Sequence, residues 1–396
     1  MEKPKIRFLK NKHSWVRSTF EGIAKRRTKS SDNPDLPRIE YQDILSGEGR
    51  LNKELSKNID CRKGIVFETN DILYGKLRPY LKNWLHPNFN GIALGDFWVL
   101  QARNCDSKFL FSLLQSPKFQ RVANDTSGTK MPRSDWKTVS QTEFSIPASS
   151  DEQSAIGTLF HTLDDLLASY KDNLTNYQSL KANMLSKMFP KDGQTVPEIR
   201  LDGFEGEWEI NKLNKYLTVS KKKNTKQQFG KEDVLSVSGE VGIVNQIQFQ
   251  GRSFAGVSVE MYSIVETGNI VYTKSPLKAN PYGIIKANYG IPGIVSTLYA
   301  VYLPYENVFP GFVERYFEND LRLNSYLKPL VNKGAKNDMK VSDKNALLGN
   351  VIFPKLEEQV AISDYFTNLD KFIQSHKDKI SQLETLKKKL LQDMFI

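Results

Sequence analysis

EQSAIGTLFHTLDDLLASYKDNLTNYQSLKANMLSKMF, from Glu152 to Phe189, is matched without a gap by EQVAISDYFTNLDKFIQSHKDKISQLETLKKKLLQDMF, from Glu358 to Phe395. Gln153 stands opposite Gln359, Phe160 opposite Phe366, Leu163 opposite Leu369, Asp164 opposite Asp370, and Leu185 opposite Leu391. A repeat this long governs every local reading, because it means that one architectural unit is used twice. A function built this way needs two similar sites held at a fixed separation.

The period of the repeat predicts its structure. Ile156, Leu163, Tyr170, Tyr177 and Met184 fall seven apart, as do Ile362, Leu369, His376, Leu383 and Leu390. Sustained sevenfold spacing with charges elsewhere favours helices packed at a shallow angle in a coiled-coil-like seam. Phe160, Leu167 and Leu174, with Phe366 in the second copy, widen the apolar stripe beyond a two-stranded seam and leave surface for a further partner. Leu159, Leu166 and Leu180 add to the same apolar pattern. Neither copy contains a proline, and Pro190 stops the first. At about 1.5 Å per residue each copy would form a rod of roughly 57 Å. A lone rod would leave its stripe wet, so the two are expected to pack together, and antiparallel, because the polar linker after Phe189 carries the chain into a second globular half and the second helix must return from it.

Working outward, the repeat continues beyond the helices. Pro4, Ile6, Arg7, Phe8 and Trp15 recur at the same spacing as Pro197, Ile199, Arg200, Leu201 and Trp208. A basic cluster follows each: Lys25, Arg26, Arg27 and Lys29, then Lys221, Lys222, Lys223 and Lys226. Two apolar runs ending at lysine, DILYGKLRPY from Asp71 and NIVYTKSPLK from Asn269, read as strands. SGTKMPRSDW from Ser127 is echoed by KGAKNDMKVSD from Lys333, and Ile146-Pro147 and Phe353-Pro354 lead into the repeated helices. The predicted fold is α/β (mixed α+β). It has globular domains at 1–150 and 197–356, helices at 151–189 and 357–396, and a polar linker at 190–196.

Composition narrows the function. With 396 residues, 39% hydrophobic and 26% charged, the chain reads as a two-domain globular protein. A formal net charge of +11 points to a polyanion, with nucleic acid ahead of an anionic membrane. No apolar run approaches the roughly 20 residues that span a bilayer, and the basic amino terminus has no apolar stretch of a secretory signal behind it. Cys61 and Cys105 cannot build a disulfide framework or metal knuckle, and fit reduced thiols in a cytoplasmic protein.

Catalytic constellations do not emerge from the sequence. It contains no GxxxxGK[ST] phosphate loop and no GxGxxG fingerprint, and His13, His86, His161 and His376 are scattered without ligand spacing. Asn280-Pro281-Tyr282-Gly283 partly resembles the Asn-Pro-Pro-Tyr motif of amino-methyltransferases, lacks its second proline, and reads as a turn. The chain is therefore expected to bind rather than catalyse, without cofactor or metal of its own. A solvated surface explains one basic run well; two in matching places point to DNA. Further candidates are Lys76, Arg78, Lys274 and Lys278 at the strand ends, and Lys130, Arg133, Lys336 and Lys340 in the glycine-containing turns, where cations can meet phosphates or base edges.

These pieces together resemble the specificity (S) subunit of type I restriction-modification enzymes. The resemblance rests on Trp15 and Trp208, DILYGKLRPYLKN, the SGTKMPR turn, and above all IPASSDEQSAIGTLFHTLDDLL and FPKLEEQVAISDYFTNLDKFI. It implies two target-recognition domains, each reading half of a split, asymmetric DNA sequence. It further implies paired helices that set the spacer and dock two methyltransferase (M) subunits, with restriction (R) subunits in the full enzyme. Adenine methylation with S-adenosylmethionine, and ATP- and Mg-dependent cleavage, would then belong to those partners. The alternative is a self-sufficient DNA methyltransferase or nuclease with diverged motifs; a freestanding DNA-binding regulator fits the wide helical stripe less well.

Overall fold

The computed structural model describes residues 4–8, 14–52, 62–125, 130–333 and 339–395. Its contacts group into two compact units, Met1–Leu174 with Ser375–Ile396, and Thr175–Gln374. The two long helices, Ser150–Lys187 and Leu356–Met394, are each shared between the units. The sequence order of globular, helix, globular, helix is thus regrouped, and each unit takes part of both helices.

In the first unit, four antiparallel strands lie in the order Ala24–Arg26, Phe97–Ala102, Ile72–Gly75, Trp84–Leu85. Alternation explains why Ile72–Gly75 is apolar throughout. Ile72 and Tyr74 enter one core with Trp98 and Leu100, while Leu73 enters another with Phe97 and Val99. A strand covered on both faces has no polar side to show. The second unit repeats the sheet as Leu217–Val219, Tyr299–Pro304, Ile270–Thr273, Ile285–Ala287. Its alternation is also repeated, with Ile270 and Tyr272 in one core and Val271 in the other.

A two-stranded ribbon in each unit carries the chain into the long helix: Trp15–Thr19 with Glu143–Pro147, and Glu209–Lys212 with Asn350–Phe353. The Glu-Gln pair that opens each helix is buried, and its arginine and backbone hydrogen bonds recur in both. Gln153 accepts from the Asp106 N–H and donates to the Pro147 carbonyl, each at 2.9 Å. Gln359 accepts from the Phe309 N–H and donates to the Pro354 carbonyl, again at 2.9 Å. Glu152 receives Arg7 Nε at 2.6 Å and Nη2 at 2.8 Å, with the Trp15 indole N–H at 3.3 Å. Glu358 receives Arg200 Nε at 2.8 Å and Nη2 at 2.7 Å. The motif repeats because these carboxylates and amides need their partners once buried.

Helix against helix, the polarity is antiparallel within each unit. In the first, Phe160 meets Phe395 at 5.7 Å and Asp164 pairs with Lys387 at 2.5 Å. The second unit repeats both contacts with Phe366 on Phe189 at 6.1 Å and Asp370 on Lys181 at 2.6 Å. Ile156, Phe160, Leu163, Leu167, Ile362, Phe366, Leu369 and Leu383 are buried; Tyr170, Leu174, Tyr177, Met184, His376 and Leu390 are half-buried. Leu166 and Leu180, which share the apolar pattern, face solvent instead. The long helix also crosses a short one closely. A Cβ on Gly157 would sit 2.5 Å from the Phe109 nitrogen, so no larger residue fits the crossing in the first unit. In the second unit, helix position 157 is Ser363 and the glycine is Gly311 on the facing short helix, so the small residue has changed sides.

The polar stretch after Phe189 is pinned rather than free. Ile199 donates its N–H to the Lys187 carbonyl at 3.0 Å, and Trp208 to Thr195 at 2.8 Å. Ile6 repeats the first of these on Asp393, at 3.3 Å. The Asn280–Gly283 segment is a turn, closed by the Gly283 N–H on the Asn280 carbonyl at 3.0 Å, with Gly283 at φ +90°.

Candidate nucleic-acid interface

Edge strand Ala24–Arg26 and the residues just after it carry the first basic cluster. Arg27 donates its N–H to Val99 and Val66 donates to Lys29, so the cluster joins the sheet described above to strand Gly64–Phe67 of a second four-stranded sheet in the same unit. The side chains separate by role. Lys25 and Lys29 are exposed and make no ion pair among the described residues. Arg26 lies over the Trp136 ring at 4.5 Å, a cation–π contact. Arg27 is spent on two carboxylates, Glu68 at 2.7 Å and buried Asp71 at 2.6 Å. Burial is the main cause holding the Asp71 carboxyl above its usual range, with Arg27 opposing it.

The second cluster meets its sheet in the same way with a shifted sequence. Ser220 donates to Val301 and Ile264 to Lys222, so Lys222 occupies the backbone position of Lys29, and Ser220 that of Arg27. Lys222 pairs with Glu266 at 2.9 Å and Lys223 donates to Ser263 Oγ at 2.8 Å; Lys221 and Lys226 are exposed. Matching by residue type aligns Lys221–Lys226 with Lys25–Lys29, whereas the strand register equates only Lys29 with Lys222.

The strand-end and turn candidates of the first unit come together in space. Lys76 follows strand Ile72–Gly75, and its carbonyl accepts the Ser134 N–H at 2.8 Å; Arg78 donates its N–H to the Pro132 carbonyl at 2.7 Å. Asp96 ties the two segments through Lys76 at 3.4 Å and Arg133 at 3.1 Å. Behind them the Tyr41 hydroxyl donates to the Asp96 carbonyl at 2.6 Å, and burial pushes that phenol up to about 12, so it remains a donor. Arg78, Lys82 and Lys130 are exposed and make no ion pair among the described residues. Arg78 and Lys82 both adopt left-handed backbone, φ +49° and +56°, a conformation that non-glycine residues hold only under constraint. Exposed Tyr80 and Met131 sit in the same segments. Sequence reasoning passed over Tyr80, Lys82 and Met131; an aromatic between basic residues in KLRPYLK was the available signal.

In the second unit Lys274 holds the place of Lys76. The Lys76 N–H reaches the Asp96 carbonyl, the Lys274 N–H that of Leu298, and Lys274 pairs with Asp343 at 2.8 Å. Lys278 is exposed on the loop after the strand. Lys340 lies on the backbone hairpin of Asn332–Lys333 with Met339–Lys340, and Lys336 lies outside the described residues.

Such an arrangement offers cationic loops and backbone for phosphates, with aromatic and amide groups beside them. Among the described residues no group of three His, Cys, Asp or Glu is placed to hold a metal ion. No helix among them is long and apolar enough to cross a membrane.

Comparison with solved structures decides the fold. The chain superposes over 100% of its length, and 99% of the other, on the S subunit of a type I restriction-modification system from M. genitalium, with a TM-score of 0.61 at 15% identity. The fold is that of a type I S subunit. The HsdS subunit from Thermoanaerobacter tengcongensis covers 96% of this chain and 95% of its own, at 17% identity and a TM-score of 0.44. In sequence, 190 residues are 24% identical to the type I restriction enzyme EcoDI specificity subunit of Escherichia coli. That match spans 46% of this chain and 42% of the relative, less than half of either. No family model matches the chain.

Proposed function

We propose that this chain is the DNA-specificity subunit of a type I restriction-modification complex. In this reading it recognises a bipartite, asymmetric target, and it assembles methyltransferase and restriction subunits that carry the chemistry. One observation carries the reading: within the S-subunit fold, both units repeat the same strand register and place lysine at the same two positions, Lys29 with Lys222 and Lys76 with Lys274. Two readers with a shared scaffold and different loops suit two half-sites of different sequence. The helices support the scaffolding part. The first unit exposes Leu166 and Leu386, and the second exposes their repeat equivalents Phe372 and Leu180. Equivalent apolar pairs suit two copies of one partner, the methyltransferase subunit. The helices between the readers would set the spacer, since inserted residues lengthen a helix by about 1.5 Å each.

The test is a domain exchange. Residues up to about Ser150 are replaced by those of a relative, and methylated adenines are mapped in cells carrying the matching methyltransferase subunit. Only one half of the recognised sequence should change. A change in both halves would end the two-reader reading, and methylation or cleavage by the purified chain alone would favour a self-sufficient enzyme.

A further inference from the structure

In the second unit a segment of unlike chemistry lies beside the lysine cluster. Residues 239–262, GEVGIVNQIQFQGRSFAGVSVEMY, contain three charged side chains, Glu240, Arg252 and Glu260, in a chain where one residue in four is charged. They nonetheless expose large apolar groups: Phe254 is 56% exposed, Met261 62% and Val257 97%. Gln248, Phe249, Gln250 and Arg252 stand exposed among them, with the Arg252 guanidinium 4.6 Å from the Phe254 ring.

The segment is braced from within. Strands Leu235–Ser238 and Gly242–Asn245 pair, and the Asn245 side chain accepts the N–H groups of Ile247 and Gln248 at 3.0 and 3.1 Å. The Gln246 side chain donates to Ser236 Oγ at 3.3 Å and accepts the Phe254 N–H at 2.7 Å. A left-handed Gly251, φ +76°, turns the chain between them. These hydrogen bonds thus hold a backbone whose outward side chains stand in solvent. The segment is also fastened to the basic run, through the Asn224 N–H on the Tyr262 carbonyl at 3.0 Å and the Asn224 side chain on the Val259 carbonyl at 3.3 Å.

We infer that residues 246–261 are the base-reading element of the second unit, resting on the DNA-binding reading above. In it Gln248, Gln250 and Arg252 meet base edges, while Phe249 and Phe254 pack on base methyls or sugars. Glutamine is the side chain suited to bidentate contact with adenine, and arginine with guanine. A reader needs little charge of its own when lysines beside it hold the phosphates; exposed Lys221 and Lys226 stand there. The corresponding hairpin of the first unit, Ile44–Leu45 with Arg50–Leu51, differs in its commitments. Its Glu48 pairs with Lys171 and its Arg50 with Asp172. The two units therefore offer unlike chemistry at the same topological place, as unlike half-sites require.

Selection from duplex DNA of randomised sequence tests this, using the full chain alone and assembled with its methyltransferase partner. Gln248→Ala and Gln250→Ala should each lose discrimination roughly 10- to 100-fold at one base pair, leaving the other half-site and the salt dependence unchanged. Lys221→Ala with Lys226→Ala should do the reverse, flattening the salt dependence and sparing the sequence. The exposed positions make loss of fold the less serious risk, and circular dichroism checks it. Unchanged enriched sequences in both glutamine variants would overturn the inference. Loss of methyltransferase assembly with the sequence preserved would also overturn it, making the segment a protein-docking surface. Failure of the wild type to enrich any sequence would instead strike the DNA-binding reading itself.

Discussion

Truncating Glu152 to alanine should unfold the first unit at markedly lower denaturant. The carboxylate is fully buried and accepts three hydrogen bonds, two from Arg7 and one from the Trp15 indole. Its removal leaves a guanidinium facing a void and a buried N–H without its acceptor. Arg7 is 24% exposed, so part of its charge can be rehydrated, and the loss of the carboxylate costs about 2–4 kcal/mol rather than the full penalty of a buried pair. With a urea slope of about 2–3 kcal/mol per M, the midpoint should fall by roughly 1–2 M. Tryptophan fluorescence reads this unit selectively, because Trp15, Trp84, Trp98 and Trp136 lie in it and only Trp208 lies in the other. Glu358→Ala should cost about 1 kcal/mol less, because the Trp208 indole N–H has no acceptor to lose among the described residues and Arg200 keeps the Gly206 and Glu205 carbonyls. Hydrogen exchange in Ile270–Thr273 would follow that second variant. A midpoint shift below about 0.3 M in Glu152→Ala would place the contact among weak surface ion pairs and refute the reasoning.

Three further outcomes are expected. Burial, with smaller effects from His161 and Lys108, lowers the His86 imidazole to about 4, so between pH 6.5 and 4 the unfolded chain takes up a proton that the folded one refuses. Stability should therefore fall as pH drops through this window, by about 3 kcal/mol in total, and urea titrations of His86→Asn should show that much less acid sensitivity than wild type. Among the cations, Lys25→Ala with Lys29→Ala should reduce the salt slope of DNA binding by up to about 0.9 per lost phosphate contact on target and non-target DNA alike, whereas Arg27→Ala should chiefly lower the melting temperature, because Asp71 is left buried without its partner. Burial pushes the Cys105 thiol up to about 12, so in a Cys61→Ser background iodoacetamide at pH 8 should label the folded chain far more slowly than the urea-unfolded one, as mass spectrometry would show.

The sequence by itself determined the duplication and the helical period. Each is recorded in spacing: heptads mark the seam, and a gapless repeat forces Phe160 with Phe395 and Phe366 with Phe189 into equivalent places. It also marked the Glu-Gln helix starts, because a buried carboxylate tolerates few substitutes for its arginine. Spacing cannot tell which apolar positions face a partner helix, however, and Leu166 and Leu180 fitted the pattern while lying exposed. Nor could it separate Lys25 from Arg27. Residue type gives charge, whereas availability depends on whether Glu68 and Asp71, some forty residues away, fold back against it. The meeting of Lys76 and Arg133 on Asp96, with Arg78 bonded to Pro132 beside them, and the regrouping of each long helix between two units, were likewise decided only in three dimensions. Both depend on contacts between segments far apart in the chain, and local periodicity carries no information about those.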